Sequence, residues 1–282
     1  MKENEIAHKY CMVQECDTDY INLYGSSPMY SIFFLEGNGK VSVDLIEYTF
    51  DGKIILFATP YQIVHFDTKQ SIKTRRLQFH GDFYCIEYHK KEVACNGLLF
   101  NNIYQQPYVN LEPKNYIELD YILGKLIIEL ENTTSYGIAV VRSYLQLILA
   151  LCSKIKSEDN LVHEERNLHH PLIQFKNLLE NNFHKERQPS FYAAQMNISP
   201  NSFSKLCKQY FLKTPSTLIH ERVILEAKKL IHLSYKSMKQ IAAELNFDDE
   251  NYFSRYFKKH TGIAPTAFRE NVGISIVADL SR

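Results

Sequence analysis

The chain has 282 residues and 33.0 kDa, is 45% hydrophobic and 13% aromatic, and balances 32 Lys+Arg with 32 Asp+Glu; this excludes a disordered chain and leaves room for two domains. The zero net charge hides an asymmetry, since His170 to Arg282 holds 16 Lys+Arg against 10 Asp+Glu and the rest 16 against 22, which suggests a basic module behind an acidic one. No apolar run is read as long enough to span a bilayer, Met1 to Tyr10 is polar, and the six cysteines are scattered without a C-x-x-C pair; a cytoplasmic protein with reduced thiols, no disulfide framework, no metal and no cofactor is expected.

Residues 1–112 read as strands. Gly37-Asn38-Gly39 and Asp51-Gly52 are turn signals, and Val41, Val43 and Leu45 alternate with polar residues between them. Short runs follow at Lys53 to Phe57, Gln62 to Phe66, Lys73 to Phe79 and Phe83 to Tyr88, a spacing that suggests a sandwich or small barrel. With Pro60 before the Gln62 run and Phe79-His80-Gly81-Asp82-Phe83 late in the domain, the order resembles a cupin. A metal cupin gathers histidines and a carboxylate, whereas His65 and His80 are isolated. Arg75 and Arg76 are neighbours in one strand, so at most one turns inward, where a guanidinium would suit an anionic ligand. His65, Arg75 and His80 are the candidates for effector contact.

The period then changes. Leu119, Ile122, Leu123, Leu126, Ile127 and Leu130 follow helical spacing, and after Asn132 to Gly137 so do Val140, Val141, Tyr144, Leu145, Ile148, Leu151 and Cys152. A helical hairpin is expected from Tyr116 to Ile155, with Tyr144, Leu145, Ile148 and Leu151 on its apolar face. Lys154 to Asn167 is charged and without periodicity, and reads as a linker.

The C-terminal part contains a repeat. Ala193-Ala194-Gln195-Met196-Asn197-Ile198-Ser199 parallels Ala242-Ala243-Glu244-Leu245-Asn246-Phe247-Asp248, and Phe203-Ser204-Lys205 parallels Phe253-Ser254-Arg255 one residue further on. Each copy predicts two helices at a tight corner: small alanines where helices cross, an asparagine that tolerates the left-handed conformation, and a Ser or Asp cap, Asp248 in the second copy. The first recognition helix, from about Ser199 to Tyr210, would present Asn201, Ser202, Ser204, Lys205 and Lys208. The second would present Glu250, Asn251, Ser254, Arg255 and Lys258. These residue types read base edges or hold phosphate. A helix from Thr214 to Leu233 joins the copies and at about 1.5 Å per residue is roughly 30 Å long, comparable to the spacing of about 34 Å between successive major grooves. Leu212 stands where the second copy has Gly262, so a different exit from the first unit is expected.

Ile241-Ala242, Leu245, Phe247, Tyr252-Phe253-Ser254-Arg255, Phe257-Lys258-Lys259, Gly262, Pro265 and Arg269 together resemble the signature of AraC/XylS-type bacterial transcription regulators. The resemblance implies an α+β protein: a cupin-like effector-binding β-barrel over residues 1–112, a helical dimerisation hairpin and linker over 113–167 with Tyr144, Leu145, Ile148 and Leu151 in the dimer contact, and an all-α double helix-turn-helix domain over 168–282. It also implies double-stranded promoter DNA, a small-molecule effector, a second copy of the chain and RNA polymerase as partners, with no catalytic residues. The rival readings are a cupin-type enzyme with a helical appendage and an interaction protein that has lost DNA binding.

Overall fold

The computed structural model describes residues 10–24, 26–44, 46–84, 98–100, 102–131, 136–166 and 170–274. The chain divides into two compact units, one formed by residues up to Asn102 and by Gln106–Asn160, the other by Ile103–Gln105 and Leu161 onward.

In the first unit, β1 (Cys11–Asp17), α1 (Thr18–Tyr24), β2 (Tyr30–Val43), β3 (Ile46–Ala58), β4 (Val64–Asp67), β5 (Lys73–Phe79) and β6 (Tyr108–Asn110) precede α2 (Pro113–Glu131) and α3 (Gly137–Arg166). The strands form one antiparallel sheet in the order β1-β5-β2-β3-β6, with β4 on the far end of β2. Among the described residues this sheet is open, with β1 and β6 as edges, where the sequence suggested a barrel.

Parity explains the two cores. Ser31 to Leu35 of β2 are all buried because both faces of the sheet are covered there. Phe34, Phe57 and Phe79 pack on one face with the apolar sides of α2 and α3, while Phe33, Phe50, Phe66 and Tyr108 fill the other.

The Gly37-Asn38-Gly39 run is not a turn. It lies inside β2, opposite Gly52, Asp51 and Phe50 of β3. A Cβ on Gly39 would stand 2.8 Å from the Asp67 carbonyl oxygen, so the glycine serves a close backbone approach. The chain reverses instead after Val43, where Asp44 has φ 57°. Of the expected Phe83 to Tyr88 strand, Phe83 and Tyr84 sit in a turn after β5, with Phe83 N donating to His80 O at 3.0 Å; the remainder lies outside the described residues. Cys85 and Cys95 lie outside them too, and Cys11, Cys16, Cys152 and Cys207 are free thiols.

Two further expectations are corrected. Residues 154–166, expected to be irregular, are the helical continuation of α3, and the boundary between the two units falls among them, after Asn160. Its stretch Gly137–Asp159 is long and apolar enough by composition to cross a bilayer, although Val141, Leu145, Ile148, Leu149 and Cys152 are spent on the sheet core. Leu145 and Ile148 are therefore fully buried within their own unit, and Tyr144 and Leu151 pack beside them. None of the four forms a free apolar face.

The second unit holds α4 (His170–Asn182), α5 (Pro189–Gln195), α6 (Pro200–Phe211), α7 (Pro215–Leu233), α8 (Met238–Glu244), α9 (Glu250–Thr261) and α10 (Pro265–Val272). Phe175 on α4 meets Phe203 on α6 at 4.9 Å and Tyr192 on α5 at 5.7 Å, both edge-on. Phe257 on α9 meets Phe268 on α10 at 5.5 Å. Leu218, Ile219, Val223, Ile224, Ala227 and Ile231 of α7 are buried, and α7 packs on helices before and after it, which makes it the shared spine of both repeats.

Candidate nucleic-acid interface

The two corners have the same hydrogen bonds. After α5, Asn197 N donates to Ala194 O and Ile198 N to Ala193 O, each at 3.0 Å. After α8, Asn246 N donates to Ala243 O at 3.0 Å and Phe247 N to Ala242 O at 2.8 Å. Asn197 and Asn246 both adopt the left-handed conformation, with φ 55° and 54°. These paired bonds close a helix C-terminus and turn the chain sharply. Of the two alanines at the second crossing only Ala242 is buried; Ala243 faces out.

Caps then start the recognition helices. Ser199 Oγ accepts from Ser202 N at 3.1 Å, and Asp249 Oδ1 from Tyr252 N at 2.7 Å. The second cap is thus Asp249 and not Asp248, which is the extra residue of the longer turn. Corresponding positions beyond the turn differ by fifty in number: Asn201 with Asn251, Ser204 with Ser254, Lys205 with Arg255, Lys208 with Lys258. Phe203, Cys207 and Phe211 turn inward on α6, and Phe253, Tyr256 and Phe257 on α9. The opposite faces are left to solvent. Asn201, Ser202, Lys205 and Lys208 are exposed and Ser204 is half-buried; Glu250, Asn251, Arg255 and Lys258 are exposed and Ser254 half-buried. Each set lies on one helix side, so the residues singled out in the sequence share a face, with Ser202 partly committed to the cap through Ser199 at 2.9 Å.

The exits match as well. Leu212 has φ 58° and ψ 17°, ending α6 in the left-handed region just as Gly262, φ 78°, ends α9. The first unit does not end differently; it accepts the strain of a β-carbon there. Thr214 caps α7 through Thr217 N at 3.2 Å with Pro215 in the first turn, while Ala264 before Pro265 offers no side-chain cap.

One contributor was not found from the sequence. Arg187, in the loop before α5, lies with its guanidinium 3.8 Å from the centre of the Phe247 ring and donates through Nη2 to the carbonyls of Leu245 and Asn246. It thus binds the loop of the first repeat to the turn of the second. No pattern near Arg187 announces a partner 58 to 60 positions away. Behind α9, His220 Nδ1 and Tyr256 Oη are 2.7 Å apart and the His220 and His260 rings 4.8 Å apart. Burial, then His220 and Lys259, push His260 down to about 4, and burial, Lys259 and Arg187 lower His220.

The effector candidates do not converge. His65 is exposed on β4, Arg75 pairs with Asp120 on α2, and His80 Nδ1 accepts from Asp82 N at 3.2 Å in the turn after β5. Among the described residues no three His, Cys, Asp or Glu side chains are grouped as a metal site.

A family profile described as a helix-turn-helix domain matches residues 192–271. The transcriptional activator RhaS of Enterobacter sp. (strain 638) is 25% identical over 147 residues, 52% of this chain and 51% of that one. The arabinose operon regulatory protein of Escherichia coli K12 is 33% identical over 72 residues, 26% and 25% of the two chains. The chain thus spans about half, or less, of the length of the curated relatives it matches. Among solved structures, ToxT from Vibrio cholerae aligns over 93% of this chain and 96% of its own, at 15% identity and a TM-score of 0.40.

Proposed function

We propose that the chain is a member of the AraC/XylS family, whose helix-turn-helix profile matches residues 192–271, and that it is a sequence-specific, DNA-binding transcription regulator of the cytoplasm, not an enzyme. The observation that carries the reading is the duplicated corner: two turns closed by the same hydrogen bonds, each followed by a capped helix that keeps its aromatic side inside and its amide, hydroxyl and cationic side outside. Asparagine pairs with adenine, and arginine or lysine with guanine or phosphate. The spine α7, 19 residues and so about 28 Å long, is of the size needed to serve adjacent major grooves. Residues 168–282 are assigned to DNA, 113–167 to dimerisation and 1–112 to an effector, with RNA polymerase as the further partner at a promoter.

The dimer contact moves to another helix. Ile117, Tyr121 and Ile128 of α2 are 64%, 64% and 51% exposed and lie, with Gly124, along one stripe. The stripe is self-complementary about a two-fold axis. Antiparallel α2 helices would set Ile117 against Ile128 of a second copy and Tyr121 against Gly124. No atom lies within 4 Å of a Cβ built on Gly124, which leaves space for the facing tyrosine.

The deciding experiment is selection of DNA from a random pool by the purified full chain, followed by a salt titration on the selected site. Enrichment of a common sequence and a steep fall of affinity with salt are expected. A pool that stays random would leave the rival reading of an interaction protein.

A further inference from the structure

Among the described residues of the sheet unit, Arg76 is a buried cation with no carboxylate paired to it. It is 6% exposed, and its Nη2 donates to Gln14 Oε1 at 2.7 Å, while Nε and Nη1 are buried with no hydrogen-bond partner. Gln14 is its neighbour across β1 and Phe33 across β2, and the Tyr20 ring of α1 lies 5.9 Å from the guanidinium.

The nearest acids on β1 are otherwise placed. Glu15 has the opposite parity, opposite Arg75, and Asp17 Oδ1 accepts from Tyr20 N at 2.8 Å. Other cations wholly or partly withdrawn from solvent differ from it. Arg75 has Asp120 and Lys213 has Glu221 at 2.7 Å. Lys156, which donates to the Gln106 carbonyl, is pushed down to about 7 by burial and so can shed its charge. A guanidinium cannot. A permanent charge held by one neutral acceptor, with two idle donors, is costly unless something else completes it.

We propose that Arg76 is the anchor of a ligand site in the sheet unit, and that its ligand is a small organic carboxylate. The two oxygens of a carboxylate match adjacent guanidinium nitrogens in one plane, and Gln14 is the polar neighbour that would yield or share its place. Tyr20 and Met12, 37% and 36% exposed, supply an apolar border for a short carbon chain. Met12 stands on the same side of β1 as Gln14, two residues away, and faces Gln78, whose amide is held by Ser27 at 2.9 Å and Ser31 at 3.0 Å. The ligand would thus be held at one charged point and bordered by carbon. The proposal rests on the effector role given above to the sheet unit, and it selects Arg76 where the sequence offered Arg75.

The test uses the full chain and butyrate as the probe, with butyramide and matched chloride as controls. The Arg76 Nε–H resonance is followed by NMR, and thermal unfolding is recorded in parallel. Butyrate is expected to shift that resonance and raise the unfolding temperature, whereas butyramide does neither. Arg76→Gln should weaken the butyrate response at least about tenfold, the loss expected on removing a charge-assisted pair, and Arg75→Gln should retain it. A parent resonance indifferent to butyrate overturns the site whether or not the variants fold, and so does an Arg76→Gln protein that responds like the parent. DNA binding is measured separately. A protein that takes butyrate at Arg76 but enriches no DNA sequence keeps the site and loses the regulator reading, and the converse result loses only the site.

Discussion

Leu212 and Gly262 occupy equivalent ends of α6 and α9, both in the left-handed region. A side chain there costs about 1–2 kcal/mol, and Leu212, 64% exposed, recovers little of it by burial. Leu212→Gly should therefore stabilise the C-terminal unit by about 0.5–1 kcal/mol after the entropy of glycine is counted, while Gly262→Ala should destabilise it by about 1 kcal/mol. Urea unfolding of the two variants reads both signs, and a destabilised Leu212→Gly would contradict the strain argument. At the reading face, Lys205→Ala and Arg255→Ala should each weaken binding to a selected site by about 1–3 kcal/mol if they touch bases. Their folds should be unchanged because both side chains are exposed. Titration against the selected site and against a scrambled one separates the outcomes: equal losses on both would make them phosphate contacts.

Between elements, the packing of α7 on α9 contains His220, Tyr256 and His260, with Lys259 and Arg187 as the neighbouring charges. His260 has its folded pKa lowered from 6.5 to about 4. Between those values the unfolded chain binds a proton that the folded chain refuses, so stability is present above pH 6.5 and falls as the pH drops towards 4. His260→Gln should flatten that part of the profile measured by thermal unfolding. An unchanged slope would place the acid sensitivity elsewhere. The stripe on α2 carries its own test: Tyr121→Glu with Ile128→Glu should convert a dimer into a monomer by sedimentation without lowering the unfolding temperature, since both side chains are exposed. If the parent is monomeric at the concentrations at which it binds DNA, the stripe has another use.

For the molecule as a whole, the second unit comprises Ile103–Gln105 and Leu161 onward, so His170–Arg282 carries most of its core, both corners and the charge excess of the chain. Expressed alone it should fold, bind the selected DNA with steep salt dependence, and bind more weakly than the full chain, because a tethered second copy raises the effective concentration at a neighbouring half-site. It should also be less stable than in the full chain. Lys213, 6% exposed, bonds Glu221 at 2.7 Å and the Ile103 carbonyl at 2.9 Å, and the latter is absent from the fragment. Circular dichroism with a salt series of binding isotherms checks this, and a folded fragment without salt-sensitive binding would remove DNA recognition from these two corners.

The sequence by itself determined the two corners, their spine and the polar faces of α6 and α9, because turns, caps and helix periodicity are set within a few residues of each other. The hydrogen bonds that close them span three to five positions, so the repeat could be read from its letters. Only tertiary structure decided that Gly37 to Gly39 run through the middle of a strand, since Gly39 answers to the Asp67 carbonyl and not to its neighbours. It also decided that Leu145 and Ile148 belong to the sheet core, because an apolar helix stripe does not state what will cover it. The same holds for Arg187 and Arg76. One meets a turn 58 positions away and the other lies buried beside Gln14, 62 positions away, and pairings at such distances depend on how strands and helices assemble rather than on local propensity.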